Sequence, residues 1–253
     1  MQNNLQRASF WKRIAAWMFD SIIVAIIAVG VAYLISLAFG YDTYSATVSA
    51  SYEKYETEYG VDFDISAEAY AKLSDDDKSS YDAAHTALIS DEEAVYAYSM
   101  MVNLSLIIVT LALLSGLLIW EFILPIIFGG GQTLGKKIFG LCLVKPNCVK
   151  INHLQLLVRV LLGKFTVETM IPVYVVMMLV FETLNLFGII AVATIIVVQA
   201  VLLIVNENKS LIHDLLAGTV VCDAASTRIF ESEEELIEYK KSCHAEEVNK
   251  KTY

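Results

Sequence analysis

The sequence predicts an all-α membrane protein: a four-helix transmembrane bundle with a small extracytoplasmic helical insert and a short cytoplasmic β-ribbon. Three observations predict it. Apolar residues make up 57% of the 253 residues, and the mean hydropathy is +0.58, more apolar than an ordinary soluble domain. These residues fall in long blocks, several of them near the roughly 20 residues that cross a bilayer. The short segments flanking the blocks are basic, whereas the acid collects in residues 42–93 and in the tail, so the net charge of −10 describes neither part.

The first block runs from Ile14 to Phe39, with Trp11 and Trp17 suited to an interface and Arg7, Lys12 and Arg13 ahead of it. Its length, the lack of an A-x-A-like cleavage site and the internal Asp20 favour a retained helix over a signal peptide. The second block, Met101 to Phe128, is long enough to tilt. In the third, Leu154 to Gly163 carries Arg159 and reads as an amphipathic surface helix, after which Phe165 to Phe181 spans. The fourth is Leu184 to Val205, with Glu182 and Asn185 marking a hairpin before it.

Lysine and arginine in short loops set the orientation. Arg7, Lys12 and Arg13 precede the first block, and Lys136, Lys137, Lys145 and Lys150 follow the second. Both groups are expected in the cytoplasm. An even number of spans then returns the C-terminus there, giving a multi-pass plasma-membrane protein. The expected parts are 1–40, the cytoplasmic N-terminus and first span; 41–99, the acidic outer insert; 100–222, the remaining membrane core; and 223–253, an acidic cytoplasmic tail. Within the insert, Ser74-Asp-Asp-Asp77 is a helix start, and Ser90-Asp-Glu-Glu93 reads as a capping box opening the helix into the second span. Leu141–Val144 and Thr219–Cys222 are β-prone and are expected to pair as a ribbon. The four cysteines, Cys142, Cys148, Cys222 and Cys243, are expected as free thiols, because a disulfide framework needs an oxidising compartment.

The loop Gly129-Gly-Gly-Gln-Thr-Leu-Gly-Lys-Lys137 is close to a phosphate-binding pattern. It lacks the final hydroxyl, follows a membrane helix rather than a strand, and has no nearby acid to serve magnesium. It reads instead as a cytoplasmic exit from the second span, with Gly131, Gln132, Thr133, Gly135 and Lys136 as the loop motif. No pair of Cys or His clusters has zinc spacing, and no motif places a nucleophile. No enzyme activity, metal, cofactor or nucleic-acid partner is therefore expected.

Three stretches occur in order: Arg13-Ile-Ala-Ala-Trp-Met-Phe-Asp20, Gly131-Gln-Thr-Leu-Gly-Lys-Lys-Ile-Phe-Gly-Leu-Cys-Leu-Val144, and His213-Asp-Leu-Leu-Ala-Gly-Thr-Val-Val221. Together they resemble the RDD family of bacterial membrane proteins. The resemblance identifies Arg13, Asp20 and Asp214 as the arginine and two aspartates of the family's name, and puts Arg159 where another arginine is common. It implies an integral membrane protein, with cation/proton exchange claimed for some relatives. The acidic insert and the tail lie outside it.

Arg13 and Asp20 share a helix face, with Asp20 roughly 10 Å deeper. An acid there costs about 2.5–3.5 kcal/mol and needs a partner; Arg13, Arg159 and Lys164 are the candidates. Glu121 lies four residues before Pro125, which frees the Glu121 carbonyl. Glu168 sits early in the third span. Carboxylates in three helices are enough for a proton or sodium relay, and pairing with Arg13, Arg159 and Lys164 is the alternative. Asp214 is expected to cap a short helix or to pair with a loop lysine or Arg13. The expected function is transporter-like exchange of a monovalent cation for protons, in an oligomer. The alternative is an accessory or scaffold protein with structural charges, engaging an unidentified membrane protein partner.

Overall fold

The computed structural model describes residues 5–127, 131–175, 186–206 and 208–251. The chain begins with helix α1 (Phe10–Phe39), which buries only Ala16, Asp20 and Val24. Ile22, Ile26, Val29 and Leu34 are exposed. A 30-residue helix that is apolar on its exposed sides is not the core helix of a soluble protein; hydrocarbon is the solvent that suits it. Helix α5 (Glu92–Leu117) runs on through a π-helical turn (Leu118–Ile123) to Ile127, making one apolar helix of 36 residues. These are the two helices long and apolar enough to cross a membrane among the described residues. The protein is a mostly helical membrane protein.

The chain divides into two compact units. One comprises residues 30–112. After Gly40, in the left-handed region, come α2 (Tyr41–Tyr59), α3 (Ala67–Ala71) and α4 (Asp75–Ser90). Ser66 and Ser74 cap α3 and α4 by accepting from Ala69 N and Asp77 N. The unit's small core holds Tyr55, Leu88 and Ala94, flanked by edge-on contacts of Phe63 with Tyr52 and Tyr81. The junction into α5 corrects the expected capping box. Ser90 is the last residue of α4, and it is Asp91 that accepts from the amides of Glu93 and Ala94. Its carboxylate reaches two donors of the first turn where the Ser90 hydroxyl bonds back to Thr86 O.

The other unit comprises residues 1–29 and 113–253. Here α1 and α5 approach closely: a Cβ on Gly116 would lie 2.9 Å from Val24 O. Val24, Leu117, Trp120, Val160 and Phe165 form its main apolar core. Beyond α5 come α6 (Leu134–Ile138), β1 (Leu141–Val144), α7 (His153–Val158), α8 (Leu186–Val205), α9 (Ile212–Ala217), β2 (Val220–Asp223) and α10 (Glu233–Lys251). Strands β1 and β2 pair antiparallel, Leu141 opposite Asp223 and Val144 opposite Val220.

Several expectations change here. The stretch after Asn152 is not a surface helix followed by a new span at Phe165. Helix α7 continues as a π-helix over Arg159–Glu168, with Arg159, Val160, Gly163 and Phe165 buried, and it ends before Met170 at φ 57°. Packing against α9 is what buries its polar face. Cys142 and Cys222 are not free thiols: they face each other in the ribbon, Cα atoms 5.3 Å apart, and are disulfide-bonded. Cys148 and Cys243 are free. The tail is anchored, because Phe230 is fully buried against Cys148, Val149 and Leu236. The hairpin at Glu182 and Asn185 and the last part of the Phe165–Phe181 span, residues 176–181, lie outside the described residues.

Candidate functional site

The motif residues meet in two linked charge groups. The first is built on Asp20, buried on α1. Its carboxylate accepts from Trp120 Nε1 at 2.9 Å, Thr133 Oγ1 at 2.5 Å and the Gly135 amide at 3.0 Å. Lys136 Nζ stands 3.9 Å away. Thr133 also caps α6, accepting from the Lys136 amide, so the residues that end the glycine loop are themselves the partners of Asp20. Gly135 must be glycine: a Cβ would lie 2.7 Å from both Ala16 O and Asp20 Oδ1. Asp20 therefore pairs with the loop motif and not with Arg13, Arg159 or Lys164. Of that motif, Gln132 bonds to Leu141 O, and Gly131 takes a positive φ against Ile151.

Glu121 is buried in the π-turn of α5 and pairs with Lys164. The turn ends just before Pro125, whose ring nitrogen cannot donate, so the wider helix arises where the ordinary hydrogen-bond ladder is already broken. Lys136 is buried between Asp20, Glu121 and Lys164. Burial is the main cause that pushes its pKa down, to about 8, with Lys164 and Arg159 adding and Glu121 and Asp20 opposing.

The second group is built on Asp214, fully buried near the start of α9. Arg159 Nη1 lies 2.7 Å from its Oδ1, and Arg13 Nη2 lies 3.5 Å from Oδ2. Thr219 Oγ1 and the Leu211 amide also donate to it, at 3.2 and 3.4 Å. Arg13 further donates to Lys209 O at 2.6 Å. Burial alone raises an acid's pKa, but Arg159, His213 and Arg13 together outweigh it and hold Asp214 below its ordinary value.

His213 connects this group to Glu168. Its Nδ1 is 2.5 Å from Glu168 Oε1, to which Gln199 Nε2 also donates at 2.7 Å. Its Nε2 is 2.8 Å from Arg159 Nη2 and 3.6 Å from Asp214 Oδ2. A guanidinium only donates, so Nε2 accepts and the ring proton resides on Nδ1, donated to Glu168. Burial first, then Arg159, push the pKa of His213 down, against the pull of Asp214 and Glu168. Gly163 makes room for it, since a Cβ there would lie 2.5 Å from His213 Cβ.

Between the two groups lies a cavity of about 220 Å³. Its wall includes Arg13, Lys136, Arg159, Lys164 and His213, one acid, Asp20, and the apolar Trp17 and Leu203. Arg159 Nε is buried without a hydrogen-bond partner among the described residues. No group of three His, Cys, Asp or Glu among the described residues is placed to hold a metal ion.

Arg13, Asp20, Arg159 and Asp214 thus come near one another; Asp214 meets Arg13 and caps α9 as expected, Lys164 pairs with Glu121, and Asp20 takes partners the sequence did not offer. Trp120 and Gln199 carried no sequence signal, since an indole or an amide in an apolar helix is ordinary. His213 stood beside Asp214 in the motif, but only the structure joins it to Glu168, 45 residues away. No curated protein and no solved structure matches the chain. The RDD family profile matches residues 7–218, which includes both charge groups; the chain belongs to the RDD family.

Proposed function

We propose that this RDD membrane protein is transporter-like and proton-linked, with Glu168, His213 and Asp214 handling the proton and with Asp20 and Glu121 as structural charges. The supporting observation is the buried imidazole of His213, held between one carboxylate at 2.5 Å and another at 3.6 Å, with a guanidinium on its accepting nitrogen. A proton can be taken up at Nε2 and given up at Nδ1, which is the arrangement of a relay. A metal cation fits less well. Each buried carboxylate already contacts a cationic or donating partner, so a sodium or potassium ion would have to displace one of those partners.

The membrane arrangement that accompanies this reading has four spans. Both termini and the basic loops lie in the cytoplasm of a multi-pass plasma-membrane protein, where the Cys142–Cys222 disulfide is buried away from reductants, and an oligomer supplies the full pathway. A second reading, an accessory protein with purely structural charges, draws on the saturation of Asp20 by three donors.

The test uses purified protein in liposomes holding a pH-sensitive dye, with imposed proton and cation gradients. Proton movement retained in Asp20→Asn but lost in folded His213→Gln and Glu168→Gln is the expected result. No proton movement by wild-type protein of verified orientation would leave the accessory reading.

A further inference from the structure

The wall of the cavity poses a problem that the proton relay leaves unsolved. Four side chains that line it are cationic, Arg13, Lys136, Arg159 and Lys164, against the single acid Asp20. Asp20 is already satisfied by Trp120, Thr133 and Gly135. Asp214 and Glu121 neutralise the arginines and Lys164 through other contacts. Arg159 remains incompletely used. It is 3% exposed. Its Nη1 serves Asp214 and Thr219, and its Nη2 meets His213, yet its Nε has no partner among the described residues. A buried donor left unpaired costs about 1–3 kcal/mol, and the Nε edge of a guanidinium is shaped for two oxygens of one oxyanion.

We propose that this cavity binds a tetrahedral oxyanion, supplied by an acidic phospholipid headgroup or by a free sulfate- or phosphate-like ion, and takes up one proton on His213 with it. The proton part rests on the reading of His213 as the proton-handling group; the oxyanion part rests on the cavity. The volume of about 220 Å³ is below that of most drug-sized pockets and suits a headgroup or a small ion. Trp17, Phe10 and Leu203 complete the wall with apolar surface, which suits a ligand whose remainder is hydrocarbon.

The coupling follows from the geometry. Around His213 stand Glu168, Arg159 and Lys164 from α7 and its π-helical continuation, Gln199 from α8, Asp214 beside it, Arg13 from α1 and Lys136 from α6. When His213 is neutral, its Nε2 accepts from Arg159. An oxyanion on the edge of Arg159 competes for that donor and offsets the surrounding positive charge. Nε2 then takes a proton from solvent and turns it toward Asp214 Oδ2, at present 3.6 Å away, while Nδ1–H stays on Glu168. Binding of the anion and of the proton therefore favour one another, and by linkage each strengthens the other equally.

Purified full-length protein in phosphatidylcholine nanodiscs would be titrated with sodium sulfate at pH 5.5, 6.5 and 7.5, reading tryptophan fluorescence, with sodium chloride at equal ionic strength as control. Sulfate is chosen because its own charge is constant over that range. In parallel, melting temperatures would be compared between phosphatidylglycerol and phosphatidylcholine nanodiscs at each pH. Saturable sulfate binding that weakens by up to about tenfold per pH unit as His213 loses its proton, with the slope flattened in His213→Gln, supports a free oxyanion. Stabilisation by phosphatidylglycerol alone, larger at low pH, supports a lipid headgroup. Equal responses to sulfate and chloride, together with equal melting in both lipids, overturn the site. Binding that is independent of pH, or a pH slope unchanged in His213→Gln, overturns the proton coupling. Failure of the transport reading is separable: it appears as absent proton flux in liposomes while pH-dependent anion binding persists.

Discussion

Asp20 is a deep acid whose charge is answered by an indole, a hydroxyl, a backbone amide and, at longer range, an ammonium. Its replacement by alanine strands those donors in a buried site. We expect Asp20→Ala to destabilise the protein by about 2 kcal/mol or more and Asp20→Asn by less, since the amide oxygen still accepts; thermal unfolding in detergent would measure both. Gly163→Ala should cost about 1–3 kcal/mol, because the new methyl meets His213 at 2.5 Å, and should disturb His213 without removing any charge. The pH dependence follows from signs. His213 has a folded pKa below its ordinary 6.5, so the unfolded chain binds more protons just below that value, and stability falls as pH drops from 6.5 through the folded value. Lys136 has a folded pKa of about 8 against an ordinary 10.5. Between those two values the unfolded chain again holds more protons, so stability rises as pH goes from about 8 to 10.5. Unfolding of wild-type protein against pH, with His213→Gln and Lys136→Met as references, checks both arms. The motif made Arg13, Asp20 and Asp214 legible in the sequence. The pairing of Asp214 with Arg13 was also legible, but that of Asp20 was not, because residues seven apart on α1 share a face yet reach different partners: Arg13 reaches Asp214, and Asp20 reaches the loop.

At the scale of elements, hydropathy located α1, α5 and α8 but not their geometry. Nothing in a run of apolar residues distinguishes an α-turn from a π-turn, and Pro125 was the one cue that the ladder of α5 changes near Glu121. Caps were legible where one serine preceded a run of acids, as at Ser74, and misplaced where serine and aspartate stood side by side, as at Ser90 and Asp91. The stretch after Asn152 was misread because Arg159 looked like a residue for water. Its charge is buried because Asp214 and Thr219 are there to meet it, and that meeting is 55 residues or more distant in sequence. The ribbon places Cys142 directly opposite Cys222, within the Cα separation of about 4.4–6.8 Å that a disulfide needs. Alkylation of denatured, unreduced protein should therefore label Cys148 and Cys243 only, and prior reduction should add Cys142 and Cys222; peptide mass spectrometry reads the difference.

For the whole molecule, the charge distribution is the best guide to arrangement. Reporter fusions after residues 5 and 251 are expected on the cytoplasmic side and fusions within 60–66 on the other, which tests the orientation through the basic loops. The family match runs through the acidic insert, which the sequence reading had set outside it, and the insert's helices could be read only from caps and composition. The N-terminal segment adds a further tie. Gln6 and Arg7 bond to Thr227, Asp223 and Cys222, and Arg13 meets Asp214. The beginning of the chain is thus completed by its last quarter. During synthesis, Arg13 and Arg159 are made long before Asp214 emerges from the ribosome. A chain arrested before α9 would carry both arginines without the carboxylate that neutralises them. That unfinished state differs from the finished one by exposed positive charge near the bilayer, a mark by which a quality-control protease could tell the two apart.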